Sequence, residues 1–413
     1  MLKSTNFTSI LFAFILSAIT YALHLSNGSI YEFLLVDFSV KPNQVAVFFA
    51  SLYIIYGVMQ FIGAIGLACL GINRVLIISL VGLAASLQMT SVIGHSLWLL
   101  IVVRLAMGLF MSCLFICAAD ILRKSSSEAM FPILLVALDV IGILSIAMGE
   151  TKIVYLVQYY GWKNFYVFLS WAVIASVLIY YVAVRRELQC NWSSEAPCLR
   201  SSKIKLIKSL SNPIVVVNGL VAGMLFSIAT AIIGLFLKPF LNMKYGFDIA
   251  QSSIYVQMML YGMAMSMVII SLVARSFQAA CSIIVGGCLL AAISLVLIAC
   301  LPDVAGNLLS YSTFLLGFSG GCFVACFLLG DLSSIAVSKS LFIAVTNGIC
   351  YLVTPVLQVV LGMLITWLGR YVDPMTAYQI SFLIYSVVFV LAAVAMFLKT
   401  GLVRDADLDY ESL

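Results

Sequence analysis

Residues 380–398 read ISFLIYSVVFVLAAVAMFL, nineteen consecutive positions without a charged side chain. As a helix rising 1.5 Å per residue, that stretch is about 28 Å long, close to the roughly 30 Å hydrocarbon core of a bilayer. It shows no alternation of polar and apolar positions, so it does not encode a strand of a membrane barrel. Residues 75–89, VLIISLVGLAASLQM, are built the same way. Across the 413 residues, 64% are hydrophobic and 9% charged, with a mean hydropathy of +1.19. Soluble domains carry roughly 25% charged residues. This composition excludes a cytosolic enzyme, a nucleic-acid binder and a disordered regulator, and predicts an all-α polytopic membrane protein. The net charge of +5 then concerns topology rather than an acidic partner.

Apolar runs separated by loop signals predict twelve spans, at 8–35, 44–69, 74–94, 97–122, 129–152, 163–185, 213–241, 251–274, 279–301, 305–330, 341–368 and 376–398. The interruption between Arg185 and Pro213 is the longest and most basic, and it falls near mid-chain. The chain therefore divides into a six-helix bundle (1–185), a basic cytoplasmic linker (186–212), a second six-helix bundle (213–398) and an acidic cytoplasmic tail (399–413). With the N-terminus inside, fourteen basic residues fall on the cytoplasmic side. Six fall outside (Lys41, Lys152, Lys163, Lys238, Lys244 and Arg370), and Arg104 lies within a span. The positive-inside rule thus predicts that both termini are cytoplasmic. Most of the eleven cysteines sit in apolar runs without metal spacing and are expected to pack as small apolar residues. Cys190, Cys198 and the Asn191 glycosylation pattern fall in the cytoplasmic linker, where neither a disulfide nor a glycan is expected. Lys3 precedes an apolar run without a cleavage site, which reads as helix 1 rather than a removed signal.

The two halves repeat a chemical signature. The fifth span carries Asp139 and Glu150; the eleventh carries Asn347 and Gln358 at the same spacing of eleven. Eleven steps of 100° bring each pair to within about 20° of one helix face. Asp120 and Asp331 end the fourth and tenth spans.

A charge at bilayer depth costs about 2.5–3.5 kcal/mol on insertion scales, so each one needs a partner or an aqueous cavity. The candidates are Glu32, Arg104, Asp139 and Glu150, with His24 as a possible assistant. Glu32, Arg104 and Glu150 fall at similar depths and could form one cluster, either as a structural ion-pair network or as a protonation or carboxylate-binding site. Asp139 has no basic residue at its depth, and burial without a partner favours the proton-bound carboxyl. It is the leading candidate for coupling. Candidate substrate contacts are Tyr31, Tyr56, Gln60, Asn218, Gln257, Tyr261, Asn347, Tyr351 and Gln358. Each of these could instead be a helix-packing hydrogen bond. Asp120, Arg123, Arg74 and Asp331 are the candidate cytoplasmic gate. Close packing is expected at Gly219 and Gly223 and at the Gly317, Gly320, Gly321 cluster, with a kink at Pro355. No zinc, phosphate-loop or nucleophile motif is present, so neither an enzyme nor a bound cofactor or metal is expected.

Gly161-Trp162-Lys163 before the sixth span, and Arg104 with Gly108 in the fourth, resemble motifs of the major facilitator superfamily. Tyr31 through Leu35, Tyr56 through Gln60, Gly149-Glu150 and Lys238-Pro239-Phe240-Leu241, with Asn347 and Gln358, are similar to the phagosomal nutrient-transporter group of intracellular gram-negative bacteria. Two departures stand out. Ala68 replaces the superfamily's loop aspartate between spans 2 and 3, and Val36 lies where group members tend to carry an arginine nearby. The resemblance implies the major facilitator fold, two pseudo-symmetric bundles around a cavity. It also implies a monomeric secondary transporter in a bacterial inner membrane, taking up a small polar metabolite, an amino acid or a nucleoside, with protons. An exporter on the same fold and a solute-binding receptor without transport are the alternatives.

Overall fold

The computed structural model describes residues 7–93, 96–127, 130–185, 209–302, 306–332 and 339–411. Among these residues the chain is helical, without a strand. Twelve helical stretches are long and apolar enough to cross a membrane: α1 (Phe7–Ser29), α2 (Pro42–Gly63), α3 (Ile72–Val92), α4 (Leu97–Ser125), α5 (Ile133–Tyr160), α6 (Trp162–Val184), α7 (Pro213–Tyr245), α8 (Ile249–Val273), α9 (Phe277–Cys300), α10 (Gly306–Leu329), α11 (Phe342–Leu368) and α12 (Pro374–Leu398). Large apolar side chains cover the exterior; Trp98 is 77% exposed and Phe397 70%. Such a surface would associate in water and is the expected exterior in lipid.

Local chemistry sets the boundaries. Pro42 and Pro213 occupy first-turn positions, where their missing N–H costs nothing. Asp248 and Gln251 form a reciprocal capping box at the start of α8, with Gln251 N–H donating to Asp248 Oδ1 at 2.6 Å. Gly161 joins α5 to α6 at φ +86° and ψ 152°, a region that only glycine enters cheaply. That backbone requirement explains the glycine of the Gly-Trp-Lys step.

Several expectations need correction. Helix α5 runs to Tyr160 rather than stopping at 152, so Lys152 sits on the helix and not in an outer loop. The first span is not continuous to residue 35. It gives way to a tight 3₁₀ turn at Ser26–Ser29, followed by a separate short helix, Tyr31–Phe38. The sequence Ser-Asn-Gly-Ser favours this break because polar side chains compete for backbone groups: Asn27 Nδ2 donates to His24 O at 2.9 Å. Helix α7 widens to π-helical turns over Ile228–Phe236 before continuing to Tyr245. The linker 186–208, with Arg186, Arg200, Lys203, Lys205 and Lys208, lies outside the described residues, as do Lys3 and His95. The side chain of Asp331 is likewise undescribed.

Glycines permit the closest approaches. A Cβ on Gly108 would meet the Leu52 carbonyl, and one on Gly317 the Met259 carbonyl, so α4 lies against α2 and α10 against α8. Contacts between the first and second six helices are made chiefly by α2 with α11 and by α5 with α8. The 3₁₀ turn of α1 also touches the π-helical stretch of α7.

Candidate functional site

The interior assembles from α1, α2, α5 and α11. Tyr21 Oη donates to Asp139 Oδ1 at 2.9 Å, so the carboxyl expected to lack a basic partner has a phenol partner. Asp139 is half-buried, whereas Tyr21 is almost fully enclosed. Tyr21 also presents its ring edge to His24, with centroids 6.1 Å apart. His24 is buried in an aromatic cage: it stacks on Tyr53 at 5.1 Å and Tyr351 at 5.7 Å and meets Tyr56 edge-on at 5.1 Å. Neither imidazole nitrogen has a hydrogen-bond partner among the described residues. Beside the cage, Asn347 Nδ2 donates to Gln60 Oε1 at 3.1 Å, joining α11 to α2. A carboxyl, an imidazole and paired amides thus lie in one interior cluster.

A second polar centre lies on the face where α1, α5, α7 and α11 end. Lys238 Nζ donates to Glu150 Oε1 at 2.5 Å, with side-chain exposures of 2% and 1%. Ser29 serves both ions: its Oγ accepts from Lys238 at 3.0 Å and donates to Glu150 at 3.1 Å. The expected Glu32–Arg104–Glu150 cluster is not formed. Glu150 lies ten residues before the end of α5, about 15 Å from it. Its partner is Lys238, counted from sequence among the outer-side charges at the end of the seventh span. Two effects bury Lys238. Helix α7 continues past it to Tyr245, and the wide π-helical turns before it advance less along the axis than α-helical turns.

Arg104 finds neutral partners instead. It donates to Tyr166 Oη at 2.9 Å and Asn27 Oδ1 at 3.3 Å, and its guanidinium lies 4.8 and 4.7 Å from the Phe48 and Phe49 ring centroids. Desolvated cation–π contacts contribute about 2 kcal/mol each, enough to offset much of the insertion cost.

The remaining candidates separate by environment. Gln358 Nε2 donates to Ala46 O at 3.2 Å and Gln257 Nε2 to Thr151 Oγ1 at 2.7 Å; both bonds cross between the first and second six helices. So does the Tyr31–Tyr378 hydroxyl contact of 3.3 Å. Asn218 stands apart from the interior cluster: its Nδ2 donates to Cys326 O at 2.8 Å and Thr346 Oγ1 at 3.2 Å, a packing role. Tyr261 is 37% exposed, and no contact joins it to the cluster among the described interactions. Among the gate candidates, Asp120 pairs with Lys124 on its own helix at 3.0 Å, Arg123 lies over Phe131 at 5.2 Å, and Arg74 is exposed.

Where α1, α7 and α11 end, a cavity of about 610 Å³ opens, lined among others by Tyr31, Glu32, Lys41, Thr366, Arg370 and Tyr378. Glu32 follows the span of α1 and is half-buried. Burial pushes its carboxyl above the ordinary value, with the Lys238 charge pulling the other way. Ser29, Tyr21, Tyr53 and Lys238 were not among the expected site residues. Only Lys238 carried a sequence signal, a lysine directly after a long apolar run.

Solved structures share this fold. A bacterial homologue of the human lysosomal transporter Spinster, in an inward-facing and unoccupied conformation, superposes with a TM-score of 0.74 at 11% identity, covering 96% of this chain and 97% of that one. A bacterial homologue of the human drug peptide transporters PepT1 and PepT2 gives 0.72 at 12% identity, over 97% and 100%. The tetrameric PepTSo2 structure gives 0.67 at 13%, over 96% and 99%. No curated protein sequence matches the chain. The sequence pattern of the Major Facilitator Superfamily matches residues 10–340, four-fifths of the chain, which therefore belongs to that family.

Proposed function

We propose that this member of the family is a secondary active transporter that takes up a small polar metabolite, an amino acid or a nucleoside, together with protons by alternating access. Asp139 is the observation that carries the reading: a half-buried carboxyl well inside α5 whose described partner is the Tyr21 hydroxyl. A carboxyl held by a phenol, without a fixed counter-charge, can gain and lose a proton as its hydration changes. His24, Tyr56, Gln60, Asn347 and Tyr351 supply the polar and aromatic surface on which a solute would sit beside it. Glu150 and Lys238 join the two proposed six-helix bundles and would part when the face they close opens. The charge asymmetry of the loops supports an inner-membrane protein with both termini cytoplasmic. We assign it as a monomer.

Reconstituted vesicles test the reading. Wild-type protein should accumulate substrate under an inward proton gradient, and collapsing the gradient should leave only equilibration. Asp139→Asn should retain substrate exchange and lose gradient-driven accumulation. Full accumulation by Asp139→Asn would remove Asp139 from the coupling.

A further inference from the structure

Neither Asp139 nor its partner Tyr21 lines the 610 Å³ cavity where α1, α7 and α11 end. Its lining comes from residues that close one helix or open the next: Tyr31 and Glu32 after α1, Lys41 before α2, Arg370 after α11 and Tyr378 in the first turns of α12. Tyr31 and Tyr378 meet hydroxyl to hydroxyl at 3.3 Å, and the Phe236 ring packs against both, at 6.0 and 6.2 Å. Tyr31 lies beyond the Ser26–Ser29 turn from Tyr21, the partner of Asp139. The volume is in the range of small-molecule sites, roughly 300–1,000 Å³.

One acidic and two basic side chains line this vestibule. Glu32 is half-buried, while Lys41 and Arg370 are exposed, one from each half of the sequence. Among the described residues none of the three is in an ion pair. An anion entering here would find its charge opposed by Glu32, and a simple cation would face Lys41 and Arg370. A neutral solute would engage none of the three charges that line the cavity. A dipolar solute satisfies all three, with its ammonium on Glu32 against the tyrosine faces and its anionic end between Lys41 and Arg370.

We infer that this vestibule is a binding site of its own for a small dipolar solute carrying an amine and a separate anionic group, held by Glu32 on one side and by Lys41 and Arg370 on the other. The site does not depend on the coupling role assigned to Asp139.

Calorimetry on the full chain in lipid nanodiscs tests it, with γ-aminobutyrate as probe and butylamine and butyrate as its single-charge analogues. Expected is saturable binding of γ-aminobutyrate, weakened about tenfold or more by Glu32→Gln and by Arg370→Ala and in each analogue. Glu32→Gln should melt with the wild type, so that its loss of binding is not loss of fold. Asp139→Asn should bind as wild type does. The inference is overturned by absence of saturable binding, by equal binding of an analogue, or by insensitivity to Glu32→Gln. It is equally overturned if Asp139→Asn abolishes binding, since the probe would then occupy the interior cluster.

Discussion

Replacing Lys238 by methionine removes the cation from a pair whose members are 2% and 1% exposed. Glu150 would keep only the Ser29 hydroxyl at 3.1 Å on one oxygen, and its other oxygen already lacks a partner among the described residues. Glu150→Gln leaves the mirror problem, an ammonium with Ser29 at 3.0 Å. Stranding one charge of a buried pair costs about 3–5 kcal/mol, whereas replacing both by apolar or neutral groups of similar size is about neutral or gains up to about 4 kcal/mol. At 1.4 kcal/mol per factor of ten, each single substitution shifts the balance against the closed arrangement by about two to three and a half powers of ten. The double variant Glu150→Gln/Lys238→Met should recover most of that loss. Two measurements check this ordering. Thermal unfolding should place both single variants below the wild type and the double variant near it. Spin labels at positions 43 and 366, where Asn43 N–H donates to Thr366 Oγ1 at 3.3 Å across the α2–α11 contact, should show one short distance in the wild type and double variant. The single variants should add a longer one. Single variants that melt with the wild type and keep its distance distribution would refute the claim that this pair is dry and holds the two halves together.

Two further outcomes follow from geometry. Gly317→Ala should destabilise by about 1–3 kcal/mol, because the added methyl collides with the Met259 backbone rather than with a movable side chain; Gly286→Ala, with nothing within 4 Å of its Cβ, should melt as wild type does. Vestibular binding of γ-aminobutyrate requires ionised Glu32, whose carboxyl burial holds above its ordinary value of 4.5 while Lys238 opposes the shift. Lys41, Arg370, Tyr31 and Tyr378 face the same cavity. Affinity should therefore fall as pH drops through a midpoint above 4.5, and Glu32→Gln should show no such step. A midpoint at or below the ordinary glutamate value contradicts the burial of that carboxyl.

The class and the number of spans were legible because a bilayer imposes a length and a hydropathy on every helix, and both are local properties of sequence. The Asp139/Glu150 and Asn347/Gln358 spacing was legible for the same reason, since helical periodicity is local. What the spacing could not supply was partners. Tyr21 is an ordinary aromatic in an apolar run until α1 is laid against α5. Lys238 fell within the seventh span, 213–241, but was counted with the outer-side charges and so was not weighed as a buried ion. Nothing local in the sequence marks the π-helical stretch, Ile228–Phe236, in which the chain advances less than an α-helix would. Arg104 was expected to seek a carboxylate because charge counting sees only charges; the rings of Phe48 and Phe49 do not enter such a count.

The first helix of each half leaves α geometry at one place. The Ser26–Ser29 turn and the Ile228–Phe236 stretch touch, and a Cβ on Gly28 would stand 3.1 Å from the Ile233 carbonyl oxygen. Irregular backbone at membrane depth survives only where protein or a water-filled passage covers it. Here each break covers the other, and the Glu150–Lys238–Ser29 centre sits immediately beyond them. Such a centre has two very different strengths. Dry, it resists separation by several kcal/mol, because each ion would be left uncompensated. Once the helices part far enough for water to enter, both ions are solvated and their attraction falls to about 0–1 kcal/mol. Partial opening is therefore the costly state, while the fully closed and fully open arrangements are each tolerable. A buried ion pair at the junction of two broken helices would give this face two positions rather than a continuum, as the proposed alternating access requires.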